Sequence, residues 1–482
     1  MSCAHTLYTV WVSTKRARPK LTTRQQVSTV TVYPTMMLVA RRAPWRVCAR
    51  WQSSSASRSD STIAAALTAG GDDRSALNAE TGLNKYHTAP WPLPEDAIFR
   101  GSCTCNPPTP RGAKAARELL AKLESGYSRA EAAASVRARL ARVLDLPEGS
   151  QVMLTPSGSD AELACVAAAQ VLSSKKLVNV VAQMGEIGAG SSHAAGLRYF
   201  SKLTPLGSDM RESGQLIAGA DDMSVILVPA RDSQTAKQTT ELTRATDEAL
   251  LPETFGVVHA VAGGKTGLVD VARRTDEKAL GVVDACQGRF ELSTLHAWLS
   301  MENIVLFTGS KFYRGPPFSG AVIFPAGIAA TIASNPPPAA AAHLSEFVSV
   351  NDLPDALSHW APKLQQEHNE GLLLRWEAAL AEMERPGALF DAAAAEDWAE
   401  RCTAELVPEF ERLRVFDANL GILSVTLLDD HGRSLDEKAL RSIYAQMSDQ
   451  NAGGLNVVAH IGQPVVVAPE TVVLRLALGV DS

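Results

Sequence analysis

Short apolar runs alternate with helical patterns along the middle of the chain. Runs of Val, Ile, Leu and Ala bounded by polar turns are typical of strands buried on both faces. Helical spacing of apolar residues predicts helices over 112–126, 128–146 and 160–172. The alternation indicates an α/β fold whose mostly parallel central sheet has helices on both faces. The predicted strands cover 151–155, 177–183, 224–230, 256–262, 281–285, 303–308 and 320–325.

Changes in composition divide the chain of 482 residues into four segments. We assign 1–71 to a transit peptide or disordered segment, and the proline-rich stretch 72–115 to an N-terminal arm. The large domain with the parallel sheet covers 116–340 and ends near the "NPPPAAAAH" stretch at 335–343. The remainder, 341–482, is mostly helical and carries strand patterns at 422–428 and 471–478. It therefore predicts a smaller α+β C-terminal domain.

Charge is distributed unevenly between the N-terminus and the rest. Residues 1–59 hold ten Lys and Arg and no acidic residue, and they are rich in Ser, Thr and Val. This composition predicts organelle import, to the mitochondrion or alternatively to the plastid. A disordered basic tail and an upstream start codon are the other interpretations of this segment.

The rest of the chain has 36 basic against 52 acidic residues, a net charge of −16. Such a charge argues against nucleic acid or an anionic membrane surface as the partner. No apolar stretch approaches the roughly 20 residues that a transmembrane helix needs. We therefore expect a small molecule as the ligand.

Polar residues follow three of the predicted strands, and ligands of open α/β sheets bind at such strand ends. After the first strand come Ser157, Gly158 and Ser159, at the start of a helix. Free backbone N–H groups and hydroxyls at a helix N-terminus can bind a phosphate. Ser and Gly at this position are equally explained by ordinary helix capping.

The other two strand ends carry Asp284 with Gln287, in "VVDACQ", and Lys311, in "FTGSKFY". Apolar strands flank Lys311, and burial would lower the pKa of its amine and favour Schiff-base chemistry. Pyridoxal phosphate requires a phosphate site, a lysine for its aldehyde and a carboxylate for its ring nitrogen. The sequence therefore predicts this cofactor.

The order of these motifs resembles the pyridoxal-phosphate fold-type I superfamily (the aspartate aminotransferase fold), and is closest to its class V branch, which includes the cysteine desulfurases. The resemblance covers about 80–480 and implies that Lys311 forms the Schiff base and that Asp284 contacts the ring nitrogen. Ser310 stands where desulfurases have a histidine. A homodimer is also implied. The other implied cofactor contacts are Gln287 at the phenolic oxygen, and Ser157, Gly158, Ser159, Thr308 and Ser310 at the phosphate.

Two further assignments depend on the resemblance. Arg475, in "VVLRLALG", would bind the substrate carboxylate, or would be a surface ion-pairing residue. His193 would stack on the cofactor ring, or would simply lie at a helix terminus. Arg289 and Arg314 lie near the motifs without an assigned role. The "AGGKTG" stretch around Lys265 lacks a glycine of the P-loop and is interpreted as a turn between strands.

The leading prediction is an aminotransferase of class V type that acts on an amino acid or amine. The alternatives are a β- or γ-eliminating lyase, a desulfurase-like enzyme and a non-catalytic member of the fold. A desulfurase needs a mobile cysteine after the lysine, and only Cys402 follows Lys311, in a helical pattern. The paired Lys311 and Asp284 argue against a non-catalytic protein.

Overall fold

The computed structural model describes residues 58–101, 106–232, 235–236, 239–365, 368–448, 458–468 and 470–481. Its strands agree closely with the apolar runs of the sequence. In chain order they are β1 Ile98–Arg100, β2 Gln151–Thr155, β3 Lys176–Met184, β4 Ser224–Pro229, β5 Arg231–Asp232, β6 Thr235–Ala236, β7 Thr254–Val261, β8 Ala279–Ala285, β9 Ile304–Thr308, β10 Gly320–Phe324, β11 Leu413–Asn419, β12 Ile422–Leu427, β13 Ala459–Ala468 and β14 Thr471–Ala477.

The helices begin after capping residues that the sequence supplies. Thr109, Ser128 and Asp436 each accept a hydrogen bond from a backbone N–H in the first turn of the helix that follows. The helices are α1 Arg58–Thr68, α2 Pro110–Glu124, α3 Arg129–Val143, α4 Gly158–Leu172, α5 Ser191–Ala195, α6 Thr239–Ala249, α7 Leu292–Ser300, α8 Ala326–Ala333, α9 Glu370–Met383, α10 Ala392–Glu409 and α11 Glu437–Met447, with 3-10 segments Ala339–Leu344, Val350–Asp352 and Asp355–Lys363.

Seven strands form the large sheet, in the order β2-β10-β9-β8-β7-β3-β4. β10 runs antiparallel to both of its neighbours, and the other pairs are parallel. β2 therefore runs in the same direction as β9. The carboxyl ends of six strands consequently meet at one edge, as the prediction of a mostly parallel α/β sheet requires.

Both faces of this sheet are buried. In β9, Val305 and Phe307 belong to one hydrophobic cluster, whereas Ile304 and Leu306 belong to another on the opposite face. Alternate side chains of a strand point to opposite faces. The uninterrupted apolar runs of the sequence are therefore explained by a sheet that lies between two helical layers.

A second sheet of five strands has the order β1-β13-β14-β12-β11. β1 pairs in parallel with β13, and the other pairs are antiparallel. Side chains of α10 and α11 share a hydrophobic cluster with these strands. This is the smaller α+β unit that the sequence predicted, with an added edge strand from the N-terminal arm.

Two segments pack differently from the sequence assignment. α1 lies within the range 1–71 that we assigned to a transit peptide or disordered segment, yet its Ile63 and Leu67 are buried in the large-sheet core. Amphipathic apolar positions in 63–67 explain this packing. The part of that segment before residue 58 lies outside the described residues.

α9, which the sequence placed in the small domain, also packs in the large-sheet core, where Trp376 Nε1 donates to Gly320 O at 2.9 Å.

Arg375 of α9 holds the end of α1. Its buried guanidinium donates to the carbonyl oxygens of Leu67, Ala69 and Gly70, and to that of Phe318. Carbonyl groups at a helix C-terminus have no partner within the helix. Arg375 satisfies them and thereby joins α1 to the large-sheet layer.

We predict that Arg375→Met lowers the free energy of unfolding by about 3 kcal/mol, because buried carbonyl groups lose charged donors. Urea denaturation measures the loss, and proteolysis should cut first near α1. The exposed Arg142→Met is the matched control and should leave stability within about 0.5 kcal/mol of wild type. An unchanged denaturation midpoint for Arg375→Met would contradict the structural role.

Candidate active site

Asp284 and Lys311 lie at the carboxyl ends of neighbouring strands. Asp284 is the next-to-last residue of β8, and Lys311 follows the end of β9 by three residues. Two hydrogen bonds join the segments beyond these strands. Thr308 Oγ1 donates to Cys286 O at 2.6 Å, and Phe312 N donates to Gln287 O at 3.3 Å. The structure therefore brings together the acid, the amide and the lysine that the sequence singled out.

The helix N-terminus at this edge is formed by the Ser-Gly-Ser turn. Ser157 Oγ accepts from Asp160 N at 3.3 Å and caps α4, as the capping interpretation expected. The amides of Gly158 and Ser159, at the start of α4, have no acceptor within the helix. A Cβ on Gly158 would lie 2.5 Å from Cys286 Sγ, so only glycine allows this approach to β8. The phosphate-site and helix-capping interpretations are compatible, because the cap formed by Ser157 Oγ leaves the amides of Gly158 and Ser159 available.

Arg74 is a residue near this turn that sequence reasoning missed. Its guanidinium pairs with Asp72 and donates to Ser157 Oγ at 3.5 Å. Asp160 lies in the first turn of α4, and burial raises the pKa of its carboxyl to about 7. A partly protonated Asp160 beside a guanidinium repels an anion less than a free carboxylate would. Nothing in the loop-like sequence around Arg74 indicated its position.

Asp284 has a buried polar pair behind it. Cys286 N donates to Asp284 Oδ1 at 3.1 Å. His259 of β7 lies with its Nε2 3.3 Å from Glu162 Oε2 of α4, and both residues are 2% exposed. Burial lowers the pKa of His259 to about 4, and burial together with Asp284 raises that of Glu162. We interpret the pair as neutral, so that it adds no net charge behind Asp284.

The segment of Lys311 is held by Asn106, a second missed residue. Asn106 Nδ2 donates to Ser310 O at 2.8 Å and to Lys311 O at 2.7 Å. Asn106 lies in the N-terminal arm, about 200 residues away in the chain, and a single sequence gives no signal for such a contact. The backbone of Lys311 is therefore fixed, while its half-buried side chain extends beyond the strand end.

Arg475 reaches the same edge from the small sheet. In β14 it pairs with Ser424 and Gly462 of the neighbouring strands, and it is 2% exposed. Its guanidinium donates to Lys265 O at 3.3 Å and to Gln463 O at 3.1 Å, and its Nε has no partner within the described part of the chain. A buried arginine that contacts only carbonyl groups is well suited to receive a carboxylate.

Other residues near the motifs have packing contacts. His193 lies in α5 with its Cε1 3.6 Å from the position of a Cβ on Gly214, and ring stacking by His193 remains a prediction. Arg289 donates to Leu420 O and Leu478 O. Arg314 pairs with Asp481 and lies over the Phe99 ring. Among the described residues no helix is long and apolar enough to cross a membrane.

No protein-family model and none of the curated proteins matches the chain. Solved structures do match. 4-Hydroxyphenylacetaldehyde synthase of Rhodiola rosea is 15% identical, with a TM-score of 0.50 over 99% of this chain and 91% of that chain. Tryptophan decarboxylase of Catharanthus roseus is 14% identical, with a TM-score of 0.51 over 84% and 82%. An Oryza sativa enzyme solved with pyridoxal phosphate and tryptamine is 14% identical, with a TM-score of 0.49 over 93% and 88%.

The chain shares the fold of these solved enzymes, and this is the fold that the resemblance to the pyridoxal-phosphate fold-type I superfamily implied. The sequence predicts pyridoxal phosphate as the cofactor. The residues present fit that cofactor. Gly158 and Ser159 begin α4 with amides that have no acceptor within the helix, Asp284 supplies a carboxylate, and the buried Nε of Arg475 has no partner among the described residues.

We predict that His259 makes stability fall as the solution is acidified. The pKa of His259 is lowered from 6.5 to about 4 on folding, so the unfolded chain binds the proton first. The free energy of unfolding should drop by up to about 3 kcal/mol between pH 6.5 and 4 from this residue alone. Urea denaturation across this range should give a shallower pH slope for His259→Gln.

The exposed His431→Gln serves as the control and should keep the wild-type slope. Equal slopes for wild type and His259→Gln would mean that the histidine is not buried in its neutral form.

Proposed function

We propose that this protein binds pyridoxal phosphate and transaminates an amino acid, as a class V type of fold-type I enzyme. One observation carries the proposal. Asp284 and Lys311 emerge from adjacent strand ends, beside the free amides of α4 and the buried guanidinium of Arg475. A phosphate site, a ring-nitrogen partner, an amine and a carboxylate site are thus available at one edge.

Each cofactor group has a candidate partner here. The amides and hydroxyls of Ser157–Ser159 would hold the phosphate, where the positive end of the α4 dipole favours an anion. Thr308 and Ser310 lie buried beside them. Asp284 would keep the ring nitrogen protonated, and Gln287 would bond the phenolic oxygen. When bound, the cofactor supplies an electron-withdrawing ring that stabilises charge at the substrate α-carbon.

Lys311 is the candidate proton carrier. Hydrogen bonds to Ser310 O and Lys311 O and from Phe312 N fix its backbone. Among the described residues, its side chain has no hydrogen bond to a strand. A fixed backbone and a movable amine let one group hold the cofactor and then transfer a proton at the α-carbon. Asn106 therefore acts as a positioning residue for Lys311.

Arg475 favours transamination over reactions that expel the substrate carboxylate. A buried guanidinium can bind a carboxylate through two parallel hydrogen bonds, and the bound carboxylate gains a charged partner that it lacks in water. Loss of carbon dioxide would leave that guanidinium without an anion. Retention of the carboxylate is therefore favoured, and the bond to the α-hydrogen becomes the one to break.

Desulfuration has less support. Cys402, the cysteine that follows Lys311 in the sequence, lies on α10 and is 4% exposed. A sulfur acceptor has to reach the substrate, which a side chain buried under the small sheet does not do. We also propose a homodimer and a mitochondrial presequence, the latter within residues that lie outside the described part of the chain.

We predict that Lys311→Ala abolishes covalent retention of the cofactor. Borohydride reduction of the wild-type holoprotein should attach the cofactor permanently to the Lys311 peptide, detected by mass spectrometry after digestion. The exposed Lys278→Ala is the matched control and should label like wild type. A wild-type protein that stays colourless and unlabelled with added cofactor would refute the proposed function, and label on Lys265 would refute the assignment of Lys311.

An amino-acid panel separates the reaction classes. With no acceptor present, a transaminase should release one equivalent of 2-oxo acid per active site and then stop. Arg475→Ala should raise KM by roughly tenfold to a hundredfold, because one charge-assisted carboxylate contact is lost. Sustained release of ammonia, sulfide or carbon dioxide from single amino acids would instead indicate a lyase.

A further inference from the structure

Lys265 brings a further cation to the active-site edge. It lies in the turn after β7, between Gly263 and Gly267, both of which have positive φ. Its Nζ donates to Gly185 O at 3.2 Å, and its carbonyl oxygen accepts from Arg475 Nη1. An ammonium has three donors. Among the described residues, Gly185 O is the one acceptor recorded for this ammonium.

The turn does not need the ammonium to hold its shape. Lys265 N donates to Glu186 O at 2.8 Å, and Thr266 N donates to Glu186 Oε2 at 2.8 Å. Arg475 adds a third contact, to the carbonyl oxygen. These bonds fix the turn through its backbone, so the charged end of Lys265 is available for another purpose.

The charges around Lys265 do not balance. Burial and the like charges of Arg475 and Lys311 lower the pKa of Lys265 to about 8, while the charge of Glu186 acts in the opposite direction. The neighbouring acid, Glu186, is already engaged by Thr266 Oγ1 at 2.9 Å and by Arg231. Arg231 itself pairs with Asp417 at 2.8 Å. Three cations thus lie near the site, and Glu186, the acid whose charge raises the pKa of Lys265, has other partners.

We propose that Lys265 binds a second anionic group, on the substrate side chain, and that the protein therefore acts on an amino acid with an acidic side chain. The inference rests on the proposed function and deepens it. Arg475 would bind the α-carboxylate, and Lys265 the distal carboxylate. Arg475 and Lys265 would then each have one anion as a partner, and neither anion would depend on Lys311.

The proposal explains why this position is a lysine, although backbone hydrogen bonds hold the turn without its ammonium. A neutral side chain such as Gln could still donate to Gly185 O. A positive charge, by contrast, is disfavoured here by burial and by two like charges and is favoured by Glu186, and a bound anion would stabilise it further. Lys265 is therefore a specificity-determining residue in this site.

The test compares substrate-like anions bound to the yellow holoprotein at pH 7. Isothermal titration measures the affinity of succinate, butyrate and 3-phosphonopropionate for wild type, Lys265→Gln and the exposed control Lys278→Gln. Wild type and Lys278→Gln should bind succinate roughly tenfold or more tightly than butyrate, because one partly buried charge pair is added. Lys265→Gln should bind butyrate as wild type does and should lose the preference for succinate.

The outcomes separate this inference from the proposed function. A yellow, borohydride-reducible protein that binds succinate and butyrate equally overturns the dicarboxylate inference and leaves the proposed function intact. A preference for succinate that persists in Lys265→Gln also overturns it. Wild type could instead prefer 3-phosphonopropionate to succinate, and Lys265→Gln could remove that preference. This result supports a contact of Lys265 with a phosphorylated side chain. Circular dichroism confirms that each variant is folded.

Discussion

Positive charge is buried where the two sheets meet, and the proposed ligand site depends on this constraint. Arg475 comes from the small sheet, and its guanidinium reaches the carbonyl oxygen of Lys265 on the large sheet. Lys311 lies at the same edge. Buried cations are costly unless an anion or several acceptors accompany them. The shape of the candidate site and the anionic ligands that we propose for it therefore have one physical cause.

The large sheet supplies the framework for these charges. Its strands are buried on both faces, and parallel packing directs their carboxyl ends to one edge. Close packing is also visible in detail, since Gly158 permits α4 to approach Cys286, and Gly462 permits β13 to approach Arg475. Behind Asp284 the neutral His259 and Glu162 add no net charge. Asp284 is the carboxylate that we propose for the cofactor ring.

Most of the fold could be predicted from the sequence, because buried parallel strands are long apolar runs with sharp polar ends. The runs at β7 to β10 are of this kind, and their bounds agree with the prediction within two residues. β13 was missed, since Gly462 and Pro464 interrupt its apolar pattern. β1 was missed because a strand of three residues has too little pattern of its own and depends on its pairing with β13.

The candidate site was predicted only in part, for a related reason. Asp284 and Lys311 lie near or just beyond the ends of strands, which is a local signal that the sequence contains. Arg74, Asn106 and His259 act through contacts between distant segments, and a single sequence does not record them. Lys265 was visible in the sequence but was interpreted as a turn residue. The turn is present, and the role that we propose for Lys265 depends on Gly185 and Arg475, which only the folded chain brings into contact with it.

The N-terminal arm contacts both sheets. Arg100 ends the edge strand of the small sheet, and Asn106, six residues later in the sequence, donates to the carbonyl oxygens of Ser310 and Lys311 beyond a strand of the large sheet. The pairing of the small sheet and the backbone position of Lys311 thus depend on the same part of the sequence. A substitution in the arm would therefore act on both together.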